Sequence, residues 1–291
     1  MRVLDRMTTW CPLHVTCRGV VAAMFRLSLA VVSTWCLGTM AMAAELYQAQ
    51  TIVTGQGEPN RSIGFASCLE DVLIKVSGAL QLAGDPRLAA YKARAADVVT
   101  SYSYHDQMSG LPKGDEQGTR DRPYDLKADF DVRKIDDILD ALGLKPWLSQ
   151  RPVLAVLVEM EQGASRYVVT SDARQSDLQR DSLRAAAAKR GMTIVLPDVA
   201  AWTTTNGDGA PLAALPPTAL AAGATALGAE VALVGRLVWD DTELGWATEW
   251  RMDWQGRSHR WQHRGVTFDD AFRQGIGGAA QVLSGNGDPA T

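Results

Sequence analysis

Beyond residue 44 the chain switches repeatedly between a period of two and a helical period, the signatures of strands and helices. "ELYQAQTIV" (Glu45 to Val53) alternates, with Leu46 and Ile52 among its inward positions, and Gly55 and Gly57 end it as a strand. Asn60 then offers an N-cap for a helix carrying Ile63, Ala66, Leu69, Leu73 and Val76 on one stripe, stopped by Gly78. Asp85-Pro86 opens a second helix, an N-cap followed by proline at the first helical position. Val98 to Tyr104 turns extended. A polar loop, Gln107 to Arg122, leads to "YDLKADFDV", where Leu126, Ala128, Phe130 and Val132 share a strand face. Ile135, Ile138, Leu139 and Leu142 make a closing helix ended by Gly143. The order is β-α-α-β-β-α, a first domain over residues 44–145.

"KPWLSQRP" reads as a linker, residues 146–152, because its two prolines forbid regular structure on both sides of Trp147. "VLAVLVEM" is too continuously apolar for a one-sided strand and is expected at the centre of a sheet, covered on both faces. Tyr167 to Val169 adds a short strand. Asp172 to Arg190 is a helix with Leu178 and Leu183, capped by Gly191, and "MTIVLP" is a second buried strand. Thr203 to Gly209 is a polar loop, and Pro216-Pro217 begins a small-residue helix that runs through Leu227 into a strand.

Five of the nine tryptophans follow within a short stretch, Trp239 to Trp261. "GWATEWRMDWQGRSHRWQHRG" predicts a hairpin with a two-residue turn at Gly256-Arg257. That register pairs Trp254 with His259, Met252 with Trp261 and Trp250 with His263 on one face. Asp253 meets Arg260 and Glu249 meets Arg264 on the other, as opposite charges across the strands. Phe268 to Leu283 is a last helix whose Phe272, Ile276, Ala279 and Leu283 cover the aromatic face, which makes the tryptophans a core. Residues 153–285 thus form a second domain with a Trp-rich hairpin, and 286–291 a disordered tail. The fold class is α/β (α+β): two small domains, each a mixed sheet packed with helices.

The N-terminus changes the inventory. Arg26 precedes an apolar run, Leu27 to Met40, and Ala41-Met42-Ala43 supplies a small-x-small cleavage site, so residues 1–43 read as a signal peptide removed near Ala43. The run is too short to anchor the chain in a bilayer. Met24 offers an alternative start, and the bulky Trp35 before Cys36 argues against lipidation there. Of four cysteines only Cys68 survives such a cleavage, on an apolar helix face where a thiol packs as a small hydrophobe. Four of the 29 basic and one of the 33 acidic residues lie in 1–43, leaving 25 against 32, a balance of −7. Without a basic stripe, nucleic acid and anionic membrane are poor partners.

Candidate chemistry is thin. His259 and His263 share a ribbon face, but residues four apart on a strand stand more than ~10 Å apart, too far to share a zinc. "GIGGAA" (Gly275 to Ala280) lies inside the last helix rather than between a strand and a helix, so it suits close packing better than a dinucleotide. His105 and Asp106 sit at the mouth of the polar loop, and Asp115, Glu116, Asp121 and Asp125 lack calcium-loop spacing. No catalytic, cofactor-binding or metal-binding set is assigned.

"VLIKVSG" (Val72 to Gly78), "DFDVRKIDDIL" (Asp129 to Leu139) and "GLKPWLSQRPVLAVLV" (Gly143 to Val158) resemble a bacterial exported family known only as a domain of unknown function, number 2066. "VLAVLV", "GMTIVLP" and "LGAEVALVGRL", with helices between, resemble the periplasmic module of TolB, curli secretion proteins and peptidoglycan-synthase activator lipoproteins. The whole chain is distantly similar to flagellar assembly protein T. The resemblance implies an exported, periplasmic adaptor of a cell-envelope assembly, with an envelope protein as partner and no cofactor. The alternative is a hydrolase of an envelope polymer, its site assembled between the domains from residues such as His105, Asp106 and Arg151.

Overall fold

The computed structural model describes residues 45–110, 122–205 and 211–290. Residues 1–43, expected as a signal peptide, Asp115, Glu116, Asp121 and most of the 203–209 loop lie outside them. The described chain is α/β: two sheets, each with its own apolar core, within one compact unit, Glu45–Thr291.

The first sheet joins β1 (Gln48–Thr54), β2 (Val99–Asp106) and β3 (Pro123–Phe130) in the order β1-β3-β2, wholly antiparallel. Ala49 lies opposite Ala128 and Thr51 opposite Leu126, which fixes the inward row as Tyr47, Ala49 and Val53. Ile52, expected inward, is therefore 63% exposed on the other face. Helix α1 (Glu58–Ser77) covers the inward face with Phe65, Cys68, Leu69, Val72, Leu73 and Val76. Its N-cap is Gly57 with proline in the first turn, not Asn60. Asn60 lies inside the helix, where its side-chain amide donates to the Thr54 carbonyl, and Ile63 projects into solvent.

The expected second helix is a series of short turns, with one α-helical turn, α2 (Ala89–Lys92), among them. Asp85 caps it as predicted, accepting from the Arg87 amide at 2.8 Å. Asp131 caps α3 (Val132–Ala141), so Val132 belongs to that helix and not to the strand.

The second sheet is mixed, in the order β5-β4-β7-β8-β9. Its strands are β4 (Leu154–Gln162), β5 (Ser165–Val168), β7 (Val231–Asp240), β8 (Gly245–Trp254) and β9 (Arg257–Val266). Central β4 is buried on both faces, as its continuous apolar run predicted. The strand expected in "MTIVLP" shrinks to β6 (Ile194–Val195), a two-residue parallel partner of β4. One face of the sheet is covered by α4 (Asp177–Arg190) and α7 (Phe268–Leu283). Leu178, at the start of α4, is 71% exposed. Among the described residues the other face is covered only over β4 and β7, by α5 (Val199–Thr205), α6 (Pro217–Ala226) and the turn Leu212–Ala214 between them. Thr203 is the last turn of α5 rather than loop.

The β8–β9 hairpin corrects the expected register. The turn is Gln255-Gly256, with φ of 49° and 77°, and it pairs Trp254 with Arg257, Met252 with His259 and Trp250 with Trp261. Positive φ at both central residues is the twist-matched hairpin turn, and glycine suits its second position, so Gly256 closes the turn instead of opening it. The displacement is two residues, so each side chain keeps its predicted face. The opposite-charge pairs do not form: Asp253 faces Ser258, Glu249 faces Gln262, and Arg251 faces Arg260.

The tryptophans form the predicted core. Trp250 and Trp261 are 1% and 2% exposed, and Trp250 meets Phe272 edge-on with ring centroids 6.5 Å apart. Three glycines make room for them. A Cβ at Gly235 or Gly275 would stand 2.4 Å from the Trp250 ring, and one at Gly278 would stand 2.6 Å from the Trp261 ring. "GIGGAA" is thus the surface on which two indoles lie against helix backbone.

Residues 146–152 have no regular structure, as their prolines require, yet they are packed. The Trp147 amide donates to the Val76 carbonyl at 2.7 Å and its ring is buried. Residues 286–290, expected as a tail, are held to the body. Asn286 donates to the Ser77 carbonyl at 2.9 Å, and Asp288 takes His259 and the Gln281 amide.

Gly275→Ala and Gly278→Ala are each expected to lower stability by about 1–3 kcal/mol through overpacking, and Trp261→Ala by about 3–5 kcal/mol. In denaturant melts, Gly275→Ala combined with Trp250→Leu should lose less than the sum of the singles. A Gly275→Ala variant that melts like the parent would remove the indole–backbone contact.

Candidate functional site: a buried charge junction and an open arginine face

Two places concentrate charge. The first lies where α1 meets α4. Asp71, buried on α1, holds Lys189 at 2.9 Å and Arg190 at 3.4 Å. One turn on, Lys75 sends its ammonium to the carbonyls of Gln48 and Glu45, the latter at 3.2 Å. Arg151 stacks on the Trp147 ring, 4.4 Å from its centroid, and donates to the carbonyls of Arg190 and Lys75, the latter at 2.6 Å. Burial pulls Lys75 down to about 8 and Arg151 down to about 10, and lowers Arg190 as well. A 480 Å³ cleft between β1 and α4 opens beside Lys75, Lys127 and Lys189.

These groups are engaged with one another and with backbone carbonyls. Arg151, the inter-domain candidate, is an orienting group of the junction. It is not joined there by His105 or Asp106. His105 is exposed on the open face of the first sheet, opposite Asp125 in register and 3.7 Å from its carboxylate. Asp106 pairs with Arg122 at 2.9 Å. His259 and His263 do share a face, but His259 is taken by Asp288, while His263 is half-buried and its proton affinity is lowered by that burial. Among the described residues no group of three His, Cys, Asp or Glu side chains could hold a metal. No helix among them is long and apolar enough to cross a membrane.

The second place was not legible as a site. On the face of β8 and β9 away from α7, two hollows of 310 Å³ and 190 Å³ share Arg236, Glu249 and Gln262. Arg251 and Arg260 flank one end of this groove and Arg264 the other. Arg236 forms a two-pronged pair with Glu161, at 3.1 and 2.9 Å. Arg251 donates to the carbonyls of Leu215 (2.9 Å) and Ala213 (3.5 Å), fixing the groove's wall, and leaves its Nε buried without a partner. Arg260, directly across from it, has no ion pair or hydrogen bond among the described residues. Arg264 meets Asp240 only at long range. The signal that could have found the groove was the turn: with Gly256 in second position, Arg251 and Arg260 fall opposite each other.

A family profile matches the first sheet and its helices. Residues 41–148 match a family profile described as a domain of unknown function, DUF8605. No curated protein matches the chain. The first half therefore carries an uncharacterised domain, and the arginine face lies outside the matched residues.

Two outcomes follow from the buried groups. Lys75 loses its proton near pH 8 when folded but near 10.5 when unfolded, so between those values the unfolded chain holds the extra proton and stability rises with pH. Cys68 opposes this above pH 9, because burial, followed by Asp71, pushes its thiol from 9.0 up to about 12. Urea midpoints should climb from pH 8 to about 9 and then flatten, whereas Cys68→Ala should keep climbing towards pH 10. A midpoint flat from pH 7 to 9 would mean that Lys75 titrates normally. Cys68 itself should react with a thiol reagent at least ~100-fold faster in denaturant than without, since a protonated, buried thiol is inert. Equal rates in both conditions would contradict its burial.

Proposed function

We propose that this chain is an exported, non-enzymatic adaptor of a cell-envelope assembly that binds a protein partner through the second sheet's uncovered face. The observation that carries the reading is the unequal cover of that sheet. One face is sealed from β4 to β9 by α4 and α7, while among the described residues the other lies bare over β8 and β9 and presents Arg260 without a partner. The resemblance of the strand–helix succession to the periplasmic module of TolB and synthase-activator lipoproteins supports the same reading, as does the likeness to family number 2066. A fold-level likeness constrains function weakly, so the bare face weighs more. Residues 1–43, with Arg26, the apolar run and Ala41-Met42-Ala43, supply the export signal in this reading.

The test is site-specific photo-crosslinking in cells, with a benzophenone side chain at Gln262 and, as control, at Leu178 on exposed α4. A discrete crosslinked product from Gln262 and none from Leu178, in a periplasmic fraction whose chain begins near Ala44, is the expected result. An uncrosslinked Gln262, a chain retained in the cytoplasm with residues 1–43 intact, or cleavage of envelope polymers by the purified protein would overturn it.

A further inference from the structure

The bare face has an edge as well as a surface. β9 pairs with β8 alone among the described residues, so one whole side of Arg257–Val266 has unpaired backbone donors and acceptors. The strand has no proline and keeps a regular register from Arg257 to His263, with a shift beyond it, and such an edge is a template for another extended chain. Ser258, Arg260, Gln262 and Arg264 are exposed and alternate towards the groove, so an added strand would set its own alternate side chains beside them.

Charge selects what that strand is. The chain carries −4 in all, yet the groove is bordered by Arg236, Arg251, Arg260 and Arg264. Glu161, Glu249 and Asp253 also lie on this face: Glu161 is taken up by Arg236, while Glu249 and Asp253 form no ion pair with any of the four among the described residues. Arg251 directly opposite Arg260 is a destabilising like-charge pair in the free protein. A carboxylate beside Arg260 would relieve it. A second copy of the chain would bring more arginines to the same edge, which disfavours self-pairing.

We propose that the outer edge of β9 and its groove receive an extended acidic segment of the partner, which adds a strand to the sheet and sets carboxylates against Arg260 and Arg264. Four residues of strand separate the two arginines, about 13 Å along the axis. The complementary segment therefore carries acidic side chains at positions i and i+4, both on the face turned to the groove. This deepens the adaptor reading and rests on it.

The probe is a fluorescein-labelled ten-residue extended peptide with glutamates four apart among alternating valine and serine. Its control has glutamines in their place. Binding to the compact unit Glu45–Thr291 is followed by anisotropy, and amide exchange of residues 258–266 is read with and without peptide. The expected result is saturable binding of the glutamate peptide that slows exchange along β9. Arg260→Glu and Arg264→Glu should each weaken it roughly tenfold, as reversing a contact charge does, while Arg133→Glu on exposed α3 changes it less than about twofold. Unchanged thermal melts would establish that the variants fold. Equal binding of the glutamine peptide, indifference to Arg260→Glu, or no protection of β9 would overturn the proposal. So would stronger capture by phosphatidylglycerol vesicles than by the peptide, which would make the face a lipid contact. A discrete Gln262 crosslink in cells without peptide binding would keep the adaptor and remove the acidic strand.

Discussion

The second half of the molecule depends on the seating of one indole. Trp250 lies across Gly235 of the neighbouring strand and beneath Gly275 of α7, with no room for a Cβ on either side. Trp261, its cross-strand partner, lies beneath Gly278 one turn further along. Burying a tryptophan removes about 150–250 Å² from water, worth about 4–6 kcal/mol at ordinary transfer values. Both indole N–H groups are buried without partners, at a cost of about 1–3 kcal/mol each. Packing wins at both positions, but only because α7 approaches so closely. The same closeness presses Gly277 against Leu80 in the short turn after α1, so the contact that seats the tryptophans also draws the first half onto the second.

Attraction between the halves is thus apolar at Leu80 and polar next to it. A buried ion pair such as Asp71 with Arg190 gains little net stability, because desolvation of both charges offsets their attraction. Its effect is directional. Arg151 reaches carbonyls on α1 and α4 at once, and Asp71 takes cations from successive positions of α4. Apolar surfaces could slide over one another, whereas these bonds are satisfied in one arrangement only. Lys75, held down to about 8 by burial, shows that this fixing carries an electrostatic cost.

How much of this was legible followed from how redundant each signal was. The last helix, the central strand and the aromatic face were each specified by many residues at once, and they stand where the pattern put them. The hairpin register rested on one turn, and a two-residue error there preserved every face while dissolving every predicted charge pair. β1 failed in its parity because Tyr47, Ala49 and Val53 outweigh Leu46 and Ile52, a contest that only pairing with β3 decides. Ile63 and Leu178 sit at apolar spacing but face solvent, Ile63 beside a Gly64 that packs directly on Val53 and Leu126 of the sheet. Periodicity describes a face but not how far its cover reaches. The arginine groove was invisible for a related reason: Arg260 and Arg264 look paired in the wrong register, and in the right one neither has an ion pair among the described residues.

The bare ribbon face follows from where the helices are needed. α7 is engaged by the tryptophans beneath it, by α4 beside it and by Leu80 at its glycines. α6 and the Leu212–Ala214 turn pack on Leu157 and Val234, and Trp202 of α5 joins the same cluster. That cluster stops at the β7–β8 boundary, because the next residues of its row are Arg251 and Arg260 instead of apolar ones. Val234 and Arg251 are direct neighbours across the strands, so the sequence changes character within a single pair. Arg251 then seals the boundary by holding the Ala213 and Leu215 carbonyls. Beyond it, arginine is a poor residue for receiving a helix of this chain and a good one for holding a carboxylate of another. That no helix among the described residues lies over β8 and β9 is therefore written into the strand itself, in the same arginines on which the proposed acidic strand depends.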